Sequence, residues 1–169
     1  GPILRENLEH YINKYDIWSK YETESEGVYI ACASIHGNTL KVCEKLKEIL
    51  EKKGAAKVVL ADLSREDWAE AVEDSFRYGK IVFASATYDM GIFTPMRDLL
   101  LNLKEKNYQN KKVAIIENGT WAPNAARCMK EIVSTMKNTW KIKWISRKFT
   151  KISSGGNLKN DKSNVCMFR

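Results

Sequence analysis

The sequence has little of what metal and secretory chemistry need: two histidines, His10 and His36, three prolines and four cysteines in 169 residues. Two imidazoles cannot by themselves build a zinc or non-haem iron centre. Cys32, Cys43, Cys128 and Cys166 contain no CxxC pair. The first three fall on apolar strand or helix positions and read as small buried hydrophobes of a reducing compartment. No apolar run is long enough to cross a bilayer, and the basic-then-apolar start of a secretory signal is missing. A cytoplasmic location without a membrane partner is therefore expected. Excess acidic charge is also absent: Lys and Arg total 28 against 21 Asp and Glu, a formal +7. Such a surplus can face nucleic acid, an anionic membrane or an acidic protein. The basic residues are dispersed, with small groups only at Lys52–Lys53 and Lys111–Lys112. No Arg-rich run or aromatic RNA-binding signature accompanies them, which argues against nucleic acid.

What is present is a globular composition, 44% hydrophobic, and an alternating pattern. Leu4, Leu8, Tyr11, Ile12, Tyr15 and Trp18 form a helix stripe. It either packs on the following domain or tethers the chain to something upstream. Thr23 to Gly27 reads as a polar linker. Val28–Ala33 is a nearly unbroken apolar run, as in a strand covered on both faces. Leu40, Cys43, Leu46, Ile49 and Leu50 follow at helical spacing, with Gly54 placed to end that helix. Lys57–Leu60 predicts a second strand. Ser64 begins a helix with Asp67 three residues on, an imperfect capping box, and Trp68, Val72 and Phe76 take its buried side. Lys80–Ser85 is a third strand, Pro95 opens a helix, and Lys112–Glu117 is a fourth strand. A helix after Pro123 carries Ala126, Met129, Ile132, Val133 and Met136. A fifth strand lies within Trp140–Ile145, with Phe149–Ile152 as a candidate extension of that edge. Strand and helix alternate, so a parallel sheet between helix layers is expected. Ser153 to Asn164 reads as loop or tail, and no final helix is evident. The opening helix or a partner is left to cover that face.

In such a sheet, ligands bind beyond the carboxyl ends of the strands. Three loops should meet there. Ser34-Ile35-His36-Gly37-Asn38-Thr39 joins a strand to a helix and is rich in hydroxyl, amide and backbone donors. Gly37 permits a tight turn, and a helix starting near Asn38 presents unpaired N–H groups and a positive dipole end. That suits a terminal phosphate. It is neither GxGxxG nor GxxxxGK[ST], and it holds no lysine. An ordinary capped turn would read the same way. His36 can titrate near neutrality, and either approaches the ligand or stands in solvent. The second loop, Ser85-Ala86-Thr87-Tyr88-Asp89-Met90-Gly91-Ile92-Phe93, offers a hydroxyl, an aromatic face, a carboxylate and flexible backbone at Gly91. A surface loop with local aromatic packing is its plainer reading. The third, Glu117-Asn118-Gly119-Thr120-Trp121-Ala122-Pro123, puts Trp121 just past a strand end. Tyr88 and Trp121 together can enclose a flat ring. Trp18, Trp68, Trp140 and Trp144 read as packing or interface residues.

These three motifs together resemble the flavodoxin-like domain of flavodiiron proteins, also called A-type flavoproteins. The resemblance runs from Gly1 to about Ile152. It implies a flavodoxin-like three-layer α/β sandwich with a five-stranded parallel sheet of order 2-1-3-4-5, and noncovalent FMN. By that resemblance Ser34, His36, Gly37, Asn38 and Thr39 form the phosphate loop. Thr87, Tyr88, Asp89 and Gly91 flank the ring, and Asn118, Gly119 and Trp121 belong to the third loop. Residues 1–26 correspond to a helix and linker following an upstream diiron domain, 27–152 to the FMN domain, and 153–169 to a polar tail. The implied partners are rubredoxin or another reductase as donor, and a diiron centre outside this chain that reduces oxygen or nitric oxide. A head-to-tail homodimer is implied as well. The chain alone is expected to shuttle electrons and to reduce oxygen poorly.

The sequence departs from the family in four places. Ala86 stands where many members have Pro, Asp89 where they have Asn, Gly119-Thr120 where a bulkier Tyr-Gly pair occurs, and the tail replaces the usual last helix. An ionised Asp89 beside the ring would lower the flavin potential. The basic surplus suits steering of an acidic donor. The alternatives are an NAD(P)H-dependent flavin or quinone reductase, which lacks a recognisable nicotinamide pocket, and a basic binding module without redox activity. A receiver-type signalling domain would need acidic residues where Cys32-Ala33-Ser34 and Ser85-Ala86-Thr87 stand.

Overall fold

The computed structural model describes residues 3–119 and 122–147. Trp121, the proposed extension Phe149–Ile152, the tail 153–169 and Cys166 lie outside the described residues. Five long strands run parallel: β1 (Ser25–Ala33), β2 (Val58–Asp62), β3 (Tyr78–Tyr88), β5 (Lys112–Asn118) and β6 (Trp140–Arg147). Their spatial order is β2-β1-β3-β5-β6, and the two-residue β4 (Gly91–Ile92) pairs back antiparallel on β3. Counting only the long strands, this is the expected order 2-1-3-4-5. Val28, Lys80 and Lys112 align in register across β1, β3 and β5 at one end, and Ala33, Ser85 and Glu117 at the other.

The sheet is apolar on both faces because helices cover both. Val28, Ile30, Cys32, Val82, Ala84 and Ile116 pack against Cys43, Leu40 and Leu46 of α2 (Asn38–Lys52). Tyr29, Ala31, Ile81, Phe83, Val113 and Ile115 pack on the opposite side. There they meet α3 (Trp68–Arg77), α4 (Thr94–Glu105) and α5 (Ala125–Ser134). Cys32 and Cys43 are fully buried, and the Cys32 thiol is pushed up by its hydrogen bond with Cys43 and by burial. Both therefore behave as the inert hydrophobes expected. Gly54, at φ +82°, follows the end of α2 in the left-handed conformation that glycine tolerates best. Pro95 sits in the first turn of α4.

Four local expectations change. The third helix starts at Trp68, not Ser64, because the Asp67 carboxylate accepts from the Ala69 N–H at 2.7 Å and caps it. Ser64 instead donates its N–H to Asp62 in the turn leaving β2. Trp68, one position after that cap, points outward and is 39% exposed, while Val72 and Phe76 pack on the core. Thr23–Gly27 is no free linker: β1 begins at Ser25, with a register shift between Ser25 and Val28. The third strand runs to Tyr88 and returns as a hairpin, where a loop was expected from Ser85.

The opening helix α1 (Leu8–Ser19) buries none of its residues, and Leu8, Tyr11, Ile12, Tyr15 and Trp18 are exposed. None of its side chains joins the core on either sheet face. Its last turns are tied to the domain through Glu24, whose carboxylate accepts from Lys14 and from the Trp18 indole at 2.8 Å. Burial raises the Glu24 carboxyl, but those two donors and nearby Arg77 outweigh it and hold it low. No described helix is long and apolar enough to cross a membrane.

Candidate functional site

At the carboxyl ends of β1, β3 and β5 the chain opens into a cleft of about 230 Å³. Ser34, His36, Asn38 and Thr39 line it from the first loop, Thr87 from β3, and Asn118 and Gly119 from the end of β5. Ile35 and Ala86 complete its wall. Among the described residues the lining contains no carboxylate. Gly37, at φ +75°, makes the turn into α2 and brings the first-turn N–H groups of Asn38, Thr39 and Leu40 to this edge. No side chain among the described residues caps them. Four orphan donors are inherent to any helix start, so this one is open to an anion.

The neighbouring helix start is closed. The Thr87 hydroxyl oxygen accepts from the N–H groups of Asn124 and Ala125 at 3.1 and 3.2 Å. The Glu117 carboxylate, 4% exposed, accepts from the Ala126 N–H at 2.9 Å. The first turn of α5 is thus satisfied from β3 and β5, and Glu117, the acid nearest the cleft along β5, is turned away from it. A hydroxyl has two acceptor positions and one proton. With both acceptor positions of Thr87 filled, its proton is left to donate, and Thr87 lines the cleft. Thr39, 1% exposed, accepts from the Asn118 amide at 3.4 Å, which ties the first loop to the third. Gly119 sits at a close approach: a Cβ there would lie 3.1 Å from Thr87 Oγ1 and from Pro123, so a larger residue would push its neighbours by a few tenths of an ångström. The space beside Gly119 is therefore partly filled by Thr87 and Pro123.

Tyr88, Asp89 and Gly91 are not brought into this cleft. They line a second one of about 310 Å³, with Arg97, Cys128 and Ile132 among its other walls. Tyr88 is 52% exposed and meets Phe93 edge-on, with ring centroids 5.8 Å apart. The hairpin turn carries its positive φ at Asp89 (47°) and Met90 (55°), the pattern of a type I′ turn. Gly91, expected to supply the backbone freedom, is not one of the positive-φ residues. A methionine in the left-handed region is strained. It is held by Asn124, whose side-chain amide donates to the Met90 carbonyl at 2.6 Å. Asn124 was not singled out in the sequence. The only signal was its place two residues before the apolar stripe of α5, a position that capping residues favour.

A third cleft, of about 370 Å³, lies at the opposite end of the sheet and is lined by Lys80 and Lys112 with Glu26 and Asn110. Part of the basic surplus thus sits far from the donor-lined cleft, so steering by it would not aim a partner there.

Scans against protein-family models and against curated proteins return no match. Solved structures do match. Rubredoxin oxygen:oxidoreductase from Desulfovibrio gigas superposes with a TM-score of 0.71 at 17% identity, over 84% of this chain and 35% of that one. A flavo-diiron protein variant from Thermotoga maritima gives 0.70 at 24%, over 89% and 38%. Flavodoxin from Fusobacterium nucleatum, bound to flavin mononucleotide, gives 0.56 at 14%, over 70% and 69%. The fold is flavodoxin-like. The likeness read from the three loops to the flavodoxin-like domain of flavodiiron proteins is met by likeness of the whole domain. The chain spans little more than a third of the flavodiiron chains it matches.

Proposed function

We propose that this chain is an FMN-binding electron-transfer domain, and that the cleft between the first loop, Thr87 and Asn118 holds the phosphate and ribityl chain. The observation that carries this reading is the pairing of an uncapped α2 N-terminus with a lining that has donors and no carboxylate. FMN fits that chemistry: its phosphate is an anion needing several donors, and Ser34, Asn38, Thr39 and the Thr87 proton supply them. Bound there, the flavin supplies one- and two-electron redox chemistry. The protein's part is to hold the phosphate, to keep carboxylates away from it, and to present the ring between the β3–β4 hairpin and the third loop. Tyr88 and Asp89 flank the ring from the hairpin, and Trp121 is assigned to its other side. His36 stands at the phosphate end. The fold of the matched flavodiiron proteins supports a role in passing electrons from rubredoxin or another reductase to a diiron centre outside this chain. With this role we propose an upstream diiron domain, a head-to-tail homodimer and a cytoplasmic setting.

The test is titration of the chain, freed of small molecules, with FMN, riboflavin and inorganic phosphate. FMN should bind with quenched fluorescence and a perturbed visible spectrum. Riboflavin should bind more weakly, and phosphate should compete with FMN. Unchanged FMN fluorescence and spectrum at saturating protein would refute the assignment.

A further inference from the structure

We infer that Asn124 is a positioning residue that holds the tip of the β3–β4 hairpin against the start of α5, and thereby orients the flavin ring beside that hairpin. This rests on the FMN reading above. Asn124 joins three parts of the chain. Its backbone N–H donates to Thr87 Oγ1 at 3.1 Å, on the strand that leads into the hairpin. Its side-chain Nδ2 donates to the Met90 carbonyl at 2.6 Å, at the hairpin tip. Its Oδ1 accepts from Arg127 Nε at 2.7 Å, one turn along α5. The orientation of the amide is fixed by chemistry. A guanidinium can only donate and a carbonyl can only accept, so rotating the amide by half a turn would lose both bonds.

The contact acts where the backbone is least willing to stay. Asp89 and Met90 both hold positive φ, and Met90 has no side-chain group to stabilise that conformation locally. Met90 is 76% exposed, so packing does not hold it. The bond from Asn124 is the one side-chain hydrogen bond among the described residues that restrains the tip. Meanwhile α5 is pinned from below by Glu117 through the Ala126 N–H. The hairpin tip is thereby referenced to α5 and, through it, to the end of β5. The hairpin is one wall of the proposed ring site. A slot for a flat ring needs its walls held to a fraction of an ångström, by residues whose own conformations are locked.

The experiment uses the full chain with Asn124→Asp, which keeps the acceptor for Arg127 but places a carboxylate against the Met90 carbonyl. FMN and riboflavin affinities should both fall about tenfold, the loss expected of one hydrogen bond with its restraint. The visible circular dichroism of the bound flavin should change, and competition by inorganic phosphate should not. A merely structural role would lower the urea midpoint of the flavin-free chain and leave the bound spectrum as it was. That result, or wild-type affinity for both flavins, overturns the inference. If N124D does not fold, Arg127→Ala at an exposed position reads the same latch: flavin affinity should drop about twofold to threefold, and no drop overturns it. Failure of the unaltered chain to take up FMN overturns the underlying reading and this one together, and is recognised because it needs no variant.

Discussion

The ammonium of Lys111, with 1% of the residue exposed, donates to the Phe76 carbonyl at 2.7 Å and closes the last turn of α3 onto the start of β5. The same group donates to the Glu22 carbonyl at 3.1 Å, which fastens the segment between α1 and β1 to the domain. Burial pushes Lys111 down to about 8 from 10.5, although nearby Glu24 opposes the shift.

That shift gives the fold an alkaline optimum. Between pH 8 and 10 the unfolded chain keeps a proton on Lys111 that the folded chain sheds, so stability rises with pH, by up to about 1.4 kcal/mol per unit. Above pH 10 the trend reverses. Burial holds the phenols of Tyr29 and Tyr108 well above their ordinary value, so there the unfolded chain is the one that loses protons. Urea midpoints taken from pH 7 to 11 should therefore peak near 10. In Lys111→Met the rise should vanish while the fall remains. A parallel rise in the variant would count against Lys111 as its source.

Thr87 is expected to matter twice. Replacing it with Val keeps the shape but removes the oxygen that caps α5, at a cost of about 1–2 kcal/mol in urea unfolding, in the range of other lost caps. Thr87→Ser should retain most of the stability and most of the FMN affinity. If Thr87→Val were as stable as wild type, the two N–H bonds seen at Asn124 and Ala125 would not be contributing.

Met90→Gly separates strain from function. Glycine accepts φ near +55° without a Cβ penalty, so the variant should gain up to about 1 kcal/mol in chemical unfolding. The same backbone freedom should let the hairpin tip move in the absence of ligand, so FMN should associate with a less favourable entropy by calorimetry. A loss of stability would mean that the methionine side chain packs in a way its exposure does not suggest.

Much of this was legible in the residues. Strand and helix order followed from apolar runs and periodicity, and Gly37 and Asn38 stand at the start of α2 as the loop chemistry required. The errors share a cause. Ser64 and Asp67 are both capping types, and only the Asp67 contact to Ala69 decides between them. Trp68 follows the helical spacing but sits at the first position, where a side chain has no turn below it to pack on. The hairpin looks like a loop in sequence because Asp89-Met90 is not an Asn-Gly type turn, and its positive φ values are sustained by Asn124 from another element. Long-range partners of this kind leave no local trace. The separation of Tyr88 and Asp89 from the donor-lined cleft likewise depends on which way the hairpin twists, and periodicity does not carry that.

The placement of Asp89 leads to a last expectation, for the holo-protein. Asp89 is exposed at the hairpin tip, one residue beyond Tyr88, with no salt-bridge partner among the described residues. A carboxylate on that wall disfavours added negative charge on a reduced flavin beside it, and solvent screens the effect. Asp89→Asn, which also tolerates the left-handed backbone, should therefore raise the potential of the couple that forms the anionic reduced flavin by a few tens of millivolts at low salt. The increment should shrink as salt is added, since exposed charges separated by a Debye length cease to interact. Redox titration of both proteins at low and high ionic strength reads this directly. A midpoint that does not move at low salt would place Asp89 outside the field of the ring. An increment that persists unchanged in high salt would mean that the substitution acts by moving the hairpin and not by charge.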